Sequence, residues 1–546
     1  MAATGSGFST HEVANQPAPL AGFDPLACDP ALTDALRLAG VPDAGELDTL
    51  AKQAGSTEAR EHGRLANEHP PVLHGYDRYG HRVDEVEFHP SWHWLMSHAV
   101  RFGLHGAPWA PNAGRHAHLR RAAGFYLWSQ VEAGHSCPIS MTYAAIPALR
   151  HAPELADRYE PGLRASVYDF GLRPPEHKSG LLAGMSMTEK QGGSDVRANT
   201  TTATPNADGT YTLVGHKWFT SAPMNDLFLT LAQAPGGLTC FLLPRMLPDG
   251  ARNGIRLQRL KDKLGNRSNA SAEIEYQGAV GWRVGEEGRG VRTIIEMVSM
   301  TRLDCVLGSA ANMRIALTEA AWHAAHRQAF GERLSDAPAM SAVLADLALE
   351  SEAAVAVGLR LASLVDGTGD REHEAALLRI ALPATKYYVC KRTPAVVAEA
   401  LECLGGNGYV EESGMPRLYR EAPLMSIWEG SGNVTALDVL RALGRDPSTM
   451  DALRTELDTA RGGHPVYDRA LGVLADELAD QRPERARRLA ELIALCLQAS
   501  LLLRQAPVKV SEAFVASRLG DSRHTLGILP SVVNAGGLAA RITPRD

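Results

Sequence analysis

TYTLVGHKWFTSAP, residues 210–223, is the stretch on which the fold turns. Branched and aromatic residues alternate there with polar ones, the pattern of a half-buried strand. LFLTLAQAP (227–235), LTCFLLPRM (238–246), IRLQRL (255–260) and AEIEYQGAVG (272–281) continue in the same character. Turns at Asn206-Ala207-Asp208-Gly209, Pro235-Gly236-Gly237 and Pro248-Asp249-Gly250 separate them. The block from about Leu181 to Trp282 therefore predicts a compact antiparallel β domain of about 100 residues, a usual domain size.

Outward from that block the period changes from two to three and four. Pro30 to about Arg173 reads as mostly helical, with LTDALRLAGV (32–41) and LRRAAGFYLWSQVEAG (119–134) as its clearest segments. On the other side, residues 290–330 carry a helical apolar stripe, and 340–365 and 374–404 follow it. Three long antiparallel helices and a fourth beginning near Val434 predict a four-helix bundle, with Pro383 expected to kink or interrupt the third. Gly444 to Ser448 is a break, and further helices fill the rest of the chain. The fold class is mainly α with a central β domain (α+β). Its expected parts are an arm of ~20 residues with a helical domain (1–180), the β domain (181–288), the bundle (289–445) and an extra C-terminal helical domain (446–546).

Net charge is −7 over 546 residues, so the molecule as a whole is no generic polyanion binder. From Arg482 onward, however, ten Lys and Arg stand against five Asp and Glu. The seven cysteines are scattered and lack C-x-x-C spacing. That argues against a disulfide framework or zinc site and for reduced, mostly buried thiols in a cytoplasmic protein. No basic segment with an apolar core opens the chain and no run of 18 apolar residues exists, so neither a secretory signal nor a membrane span is expected. His89, His93 and His98 lack a carboxylate at ligand spacing and read as a packed helix face, with no metal.

Four strings carry chemistry. Met185 to Asp195 (MSMTEKQGGSD) enters the β domain, and Lys217-Trp218-Phe219-Thr220-Ser221 lies one hairpin later. His326-Arg327-Gln328-Ala329-Phe330-Gly331 ends the first bundle helix, and Glu402 to Tyr409 (ECLGGNGY) ends the third. A flat, polar-edged cofactor with a pyrophosphate tail would use such parts. Hydroxyls of Thr188, Thr220 and Ser221 suit a ring edge, Trp218 an aromatic face, Arg327 a pyrophosphate, and Gly405-Gly406 close approach. Singly, each string also reads as a turn, a core tryptophan, a solvated arginine or a helix C-cap. The fourth string leads on to Ile427-Trp428-Glu429-Gly430-Ser431-Gly432-Asn433. A carboxylate flanked by Ile427 and Trp428 is poorly solvated, which raises its pKa toward the range of a general base. On spacing alone the same segment fits a helix start with an acidic first turn.

GRLANEHPP (63–71), FHPSWH (88–93), VEAGHSCPISMT (131–142), MTEKQGGSD (187–195), RLKDKLGNRSNAS (259–271) and RLYREAPLMSIWEGSGN (417–433) are long and specific. On them the chain resembles the acyl-CoA dehydrogenase superfamily and, within it, the AidB-like group of alkylation-response flavoproteins. The resemblance implies a non-covalent FAD. Around it would stand Met185, Met187, Thr188, Gly193, Ser194, Trp218, Phe219, Thr220 and Ser221, with Ile427, Trp428, Gly430, Ser431 and Asn433. Arg327, Phe330, Glu402, Gly405 and Gly406 would serve the FAD of a neighbouring subunit in a homotetramer built as a dimer of dimers. Glu429 matches the catalytic base that removes the α-proton of an acyl-CoA thioester while a β-hydride passes to the flavin, and Ser194 and Arg302 match positions near the substrate. Lys190 departs from the family's proline and Ala329 from a polar residue. The AidB likeness adds an alternative role, protection of double-stranded DNA with little acyl-CoA turnover. Arg485, Arg487, Arg488 and Arg518 are its candidate contacts within the basic C-terminal segment. Such binding would be backbone-driven and separable from the flavin module by cutting the chain near Arg445.

Overall fold

In the computed structural model, residues 10–41, 45–520, 525–530 and 533–544 are described. The chain opens with α1 (Pro30–Leu38), α2 (Glu46–Ala54) and α3 (Thr57–Glu68). A hairpin of β1 (Val72–Tyr76) and β2 (Arg82–Glu87) then interrupts the expected run of helices. Asp77 makes the turn: its carboxylate accepts from the backbone N–H groups of Tyr79 and His81, both at 2.8 Å, and Gly80 supplies the positive φ. Both strands are short and β2 is largely charged, so their alternation is faint in the sequence. Then come α4 (Pro90–Arg101), α5 (Ala117–Ser129), α6 (Ser136–Leu149) and α7 (Pro153–Leu163). The histidines of α4 are packing groups: His89 caps the helix and His93 bonds the Tyr168 hydroxyl.

The β domain comprises β3 (Ala183–Ser186), β4 (Thr202–Pro205), β5 (Tyr211–Ser221), β6 (Leu227–Ala234), β7 (Gly237–Pro244), β8 (Ile255–Leu260) and β9 (Ser271–Val284). Strands β4, β5, β9, β7 and β6 pair in a ring, closed where Thr202 meets Gln233. Most pairings are antiparallel, as expected, but β3 lies parallel to β6, with Ala183 opposite Leu227. The 40-odd residues between them make the crossover that a parallel pair requires.

The bundle is α8 (Gly290–His326), α9 (Pro338–Asp366), α10 (Arg371–Glu402) and, after the short α11 (Met415–Glu421), α12 (Gly432–Arg445). A small hairpin, β10 (Gln328–Ala329) with β11 (Glu332–Arg333), joins α8 to α9. Contrary to expectation, α10 runs unbroken through Pro383 and Pro394. Each proline removes a donor, but α10 is packed against α8, α9 and α12, and that burial outweighs the lost bond. The buried pair Arg121–Asp304 ties α5 to α8.

The C-terminal helices are α13 (Pro447–Asp458), α14 (Pro465–Leu478), α15 (Ala486–Gln505), α16 (Val508–Phe514) and α17 (Ala535–Ile542). They share one apolar core with the bundle, α15 lying against α10 and α12. Acidic residues of α9 receive this layer: Arg518 binds Asp346 and Glu350, and Arg541 binds Glu352. The expected clean separation at Arg445 is therefore corrected, because cutting there would bare the apolar faces of α10 and α12 and strand buried carboxylates.

Candidate active site

Between the end of α11 and the start of α12 the chain makes a 3₁₀ turn, Leu424–Ser426, and must then reverse. Glu429 makes the reversal with φ of 57° and Gly430 with φ of 100°. A glutamate in the left-handed region costs roughly 1–2 kcal/mol and persists only when its surroundings fix it. They do so through the backbone. Arg302 Nε donates to the Glu429 carbonyl at 2.9 Å, and Lys386 Nζ donates to the carbonyls of Trp428, at 2.8 Å, and Gly430. Arg302 is itself held by Asp438 at 2.7 Å, and Arg379 shares that carboxylate. Arg302, expected near a substrate, thus clamps the loop that carries Glu429.

The Glu429 carboxylate accepts from Thr301 Oγ1 at 2.8 Å. Burial pushes its pKa up, while Thr301, Lys386 and Arg302 pull it partly back. This is the state of a carboxylate poised to take a proton. Trp428 packs beside it against Met425, Cys305 and Cys390; Ile427 is exposed.

A second set of groups lines the mouth of the β ring. Ser186 and Thr220 share a hydrogen bond of 2.8 Å, and Thr188 O receives the Trp218 amide at 2.8 Å. Gly193 lets the loop fold onto Thr188, since a Cβ there would lie 2.4 Å from Oγ1. Buried Glu189 anchors this loop: it bonds Lys217, Thr200 and Thr201, which hold its carboxyl well below the usual range despite burial. Met185 is buried, Met187 half-buried, and Ser194 and Phe219 exposed. The Trp218 face is covered by this chain's own cations, with Lys261 Nζ 3.2 Å from the ring centre and Lys190 at 5.5 Å. Cys137, at the start of α6, is buried, and that burial pushes its thiol up to about 12.

Arg327, Phe330, Glu402, Gly405 and Gly406 form a separate group. No hydrogen bond or ring contact among the described residues joins them to Thr220 or Glu429. Arg327 donates to the carbonyl of Asn15 in the N-terminal arm, Phe330 is fully exposed, and a Cβ on Gly405 or Gly406 would meet open space. Ser431 accepts the Thr435 amide as α12 begins, and Asn433 accepts from Arg487 at 2.7 Å.

The candidate DNA contacts are largely engaged. Arg518 lies inside, bound to Asp346 and Glu350, and is not on a surface that a duplex could touch. Arg485 and Arg488 share Glu477, and Arg482 pairs with Asp480 and Glu484. Arg523 and Arg545 lie outside the described residues. No helix among the described residues is long and apolar enough to cross a membrane.

Sequence reasoning missed Lys386. It had a signal, a lone ammonium in the apolar run ALPATKYYVC (381–390).

Comparison with known proteins matches residues 15–170 to the adaptive response protein AidB N-terminal domain. Residues 184–279 match the acyl-CoA dehydrogenase middle domain and 288–444 its C-terminal domain. AidB of Escherichia coli (strain K12) is 47% identical over 529 residues, covering 96% of this chain and 97% of that protein. Acyl-CoA dehydrogenase family member 11 of Caenorhabditis elegans is 32% identical over 431 residues, 76% of this chain and 69% of that protein. Among solved structures, Caenorhabditis elegans ACDH-11 in complex with C11-CoA superposes with a TM-score of 0.84 at 28% identity, over 96% of this chain and 95% of that one. The chain belongs to the acyl-CoA dehydrogenase family, oxidoreductases that act on CH–CH groups, and within it to the AidB-like group.

Proposed function

We propose that the protein is an FAD-dependent dehydrogenase of acyl-CoA-like thioesters with Glu429 as its base. The observation that carries this is the Glu429 loop: a part-buried carboxylate in a strained backbone, clamped by Arg302, Lys386 and Thr301. The residues present fit the flavin. Thr220 and Ser221 end β5, the Trp218 amide holds the Thr188 loop against that strand, and Gly193 folds closely onto Thr188. Thr188, Ser194, Phe219, Thr220 and Ser221 would hold the ring and ribityl portion, and Arg327, Phe330, Gly405 and Gly406 of a neighbouring subunit the rest. When bound, FAD supplies the two-electron acceptor for hydride. Glu429 takes the proton α to the thioester carbonyl, Thr301 holds the carboxylate in line, and Trp428 keeps water from it.

The test is anaerobic rapid mixing of the yellow protein with acyl-CoA thioesters while flavin absorbance is followed. Glu429→Gln should leave flavin bound and slow bleaching by about 10²–10⁴-fold. In the native protein the rate should climb with pH as the raised carboxyl of Glu429 ionises, and the variant should lose that limb. Equal bleaching by the variant would place the base elsewhere.

A second reading, attachment to duplex DNA, finds support only in the exposed guanidiniums of Arg487 and Arg488 at the head of α15. It requires retardation of duplex DNA that fades steeply with salt and weakens when both become Ala.

A further inference from the structure

The N-terminal arm crosses the end of α8. Leu20 is buried, and the Gly22 amide donates to the Gly55 carbonyl at 2.9 Å, which ties the base of the arm to the end of α2. Upstream of that tie the Trp322 indole, in the last turns of α8, donates to the Ala18 carbonyl at 2.8 Å. Asn15 then meets the β10–β11 hairpin with its whole amide. Its Nδ2 donates to the Gln328 carbonyl and its Oδ1 accepts the Gln328 amide, both at 2.8 Å. One side chain thus makes the exchange that a paired strand would make. Asn15 has φ of 55°, a conformation that asparagine takes more readily than most side chains. With the amide turned to Gln328, the Asn15 carbonyl faces Arg327, whose Nη1 donates to it.

Arg327 caps the C-terminus of α8 and has already left the helix, with extended backbone. The Asn15 carbonyl is the one acceptor that its guanidinium has among the described residues. A guanidinium carries several N–H donors in a rigid fork. One carbonyl engages part of that fork and leaves the rest for a ligand. Being neutral, it holds the cation without cancelling its charge, as a carboxylate would. It also orders a long side chain before the ligand arrives, and a preordered group loses less freedom on binding.

We propose that Asn15 is a positioning residue for the cofactor: it fixes Arg327 so that the free part of its fork meets the pyrophosphate of FAD in the neighbouring subunit. This rests on the flavin reading above and brings the N-terminal arm into the site.

The experiment measures the affinity of the flavin-free protein for FAD and for riboflavin by quenching of flavin fluorescence. Riboflavin has the ring and ribityl chain but no phosphate. Asn15→Gly keeps the backbone conformation and removes the amide. Asn15→Pro removes both, since proline cannot take a positive φ. FAD affinity should fall by about tenfold in Asn15→Gly, the worth of a hydrogen-bonded contact, and further in Asn15→Pro, with riboflavin affinity unchanged. In an Arg327→Ala background neither substitution should weaken FAD further, because the two residues act as one unit. Equal FAD affinity in the native protein and both variants would overturn the proposal. So would equal losses for FAD and riboflavin, which mark general damage to the fold or assembly. Tighter FAD binding by a variant would show the arm competing for Arg327, and overturns it too. A native protein that binds neither flavin would refute the flavin reading itself, and this proposal with it.

Discussion

Glu429, the base proposed above, sits in a left-handed backbone that strains it. The sequence pointed to a poorly solvated carboxylate between Ile427 and Trp428; burial does raise its pKa, but Ile427 is itself exposed and takes no part in that burial. The left-handed backbone was not legible there, because glutamate gives no sign of a positive φ; the glycine after it was the only hint. Strain of this kind belongs to function rather than stability. Glu429→Gly should therefore be about 1 kcal/mol more stable than Glu429→Ala, since only glycine adopts that φ freely. Urea midpoints of the two flavin-free variants measure the difference, and equal midpoints would show the backbone to be unstrained. Lys386 escaped notice for a related reason. Its role is to bind two carbonyls of the loop, 42 and 44 residues away, and no local spacing encodes a contact of that range.

At the scale of elements, legibility followed periodicity. The long helices α8, α9 and α10 and the strands β5, β6, β7 and β9 have strong patterns and lie where the sequence put them. The hairpin β1–β2 is short, with charge concentrated in β2, and was lost among helices. The parallel pairing of β3 with β6 depends on a crossover that no local signal reports. Pro383 misled because a proline's local cost was weighed without the packing around α10. The C-terminal arginines misled differently: a count of charges does not say what faces them. Arg518 is nine-tenths enclosed, and its partners Asp346 and Glu350 are more so. Removing one member of a buried network leaves uncompensated charge, so Arg518→Ala should cost about 3–5 kcal/mol. Denaturant unfolding measures this, and a loss under 1 kcal/mol would return Arg518 to the surface candidates. Arg487→Ala, on exposed side chains of α15, should leave stability within about 0.5 kcal/mol.

At the scale of the whole molecule, the reading proposed above puts two incomplete halves of a flavin site on one chain. Thr188 and Thr220 belong to the β domain and Glu429 to the loop before α12, whereas Arg327, Phe330, Gly405 and Gly406 lie on the connections that follow α8 and α10. Phe330 shows its entire side chain to solvent, with φ of 54°, and Tyr409 is 84% exposed. Large aromatic groups held outward on strained or tight turns are characteristic of contact surfaces rather than of free loops. The N-terminal arm supports the same reading, since Asn15 fixes the β10–β11 hairpin by bonding Gln328 twice, both at 2.8 Å, and so presents Phe330 in one pose. If a second copy supplies this half to each flavin, cofactor retention must depend on assembly. Ligand that binds only the assembled form stabilises it by mass action, so dilution should release FAD and added FAD should oppose dissociation. Phe330→Asp should shift the protein toward monomer and lose flavin in proportion, while the fold, read by far-ultraviolet circular dichroism, persists. Sedimentation and the ratio of flavin to protein absorbance follow both together. A monomeric variant that keeps one FAD per chain would show that each subunit binds its flavin alone, and the exposed aromatics would then need another partner.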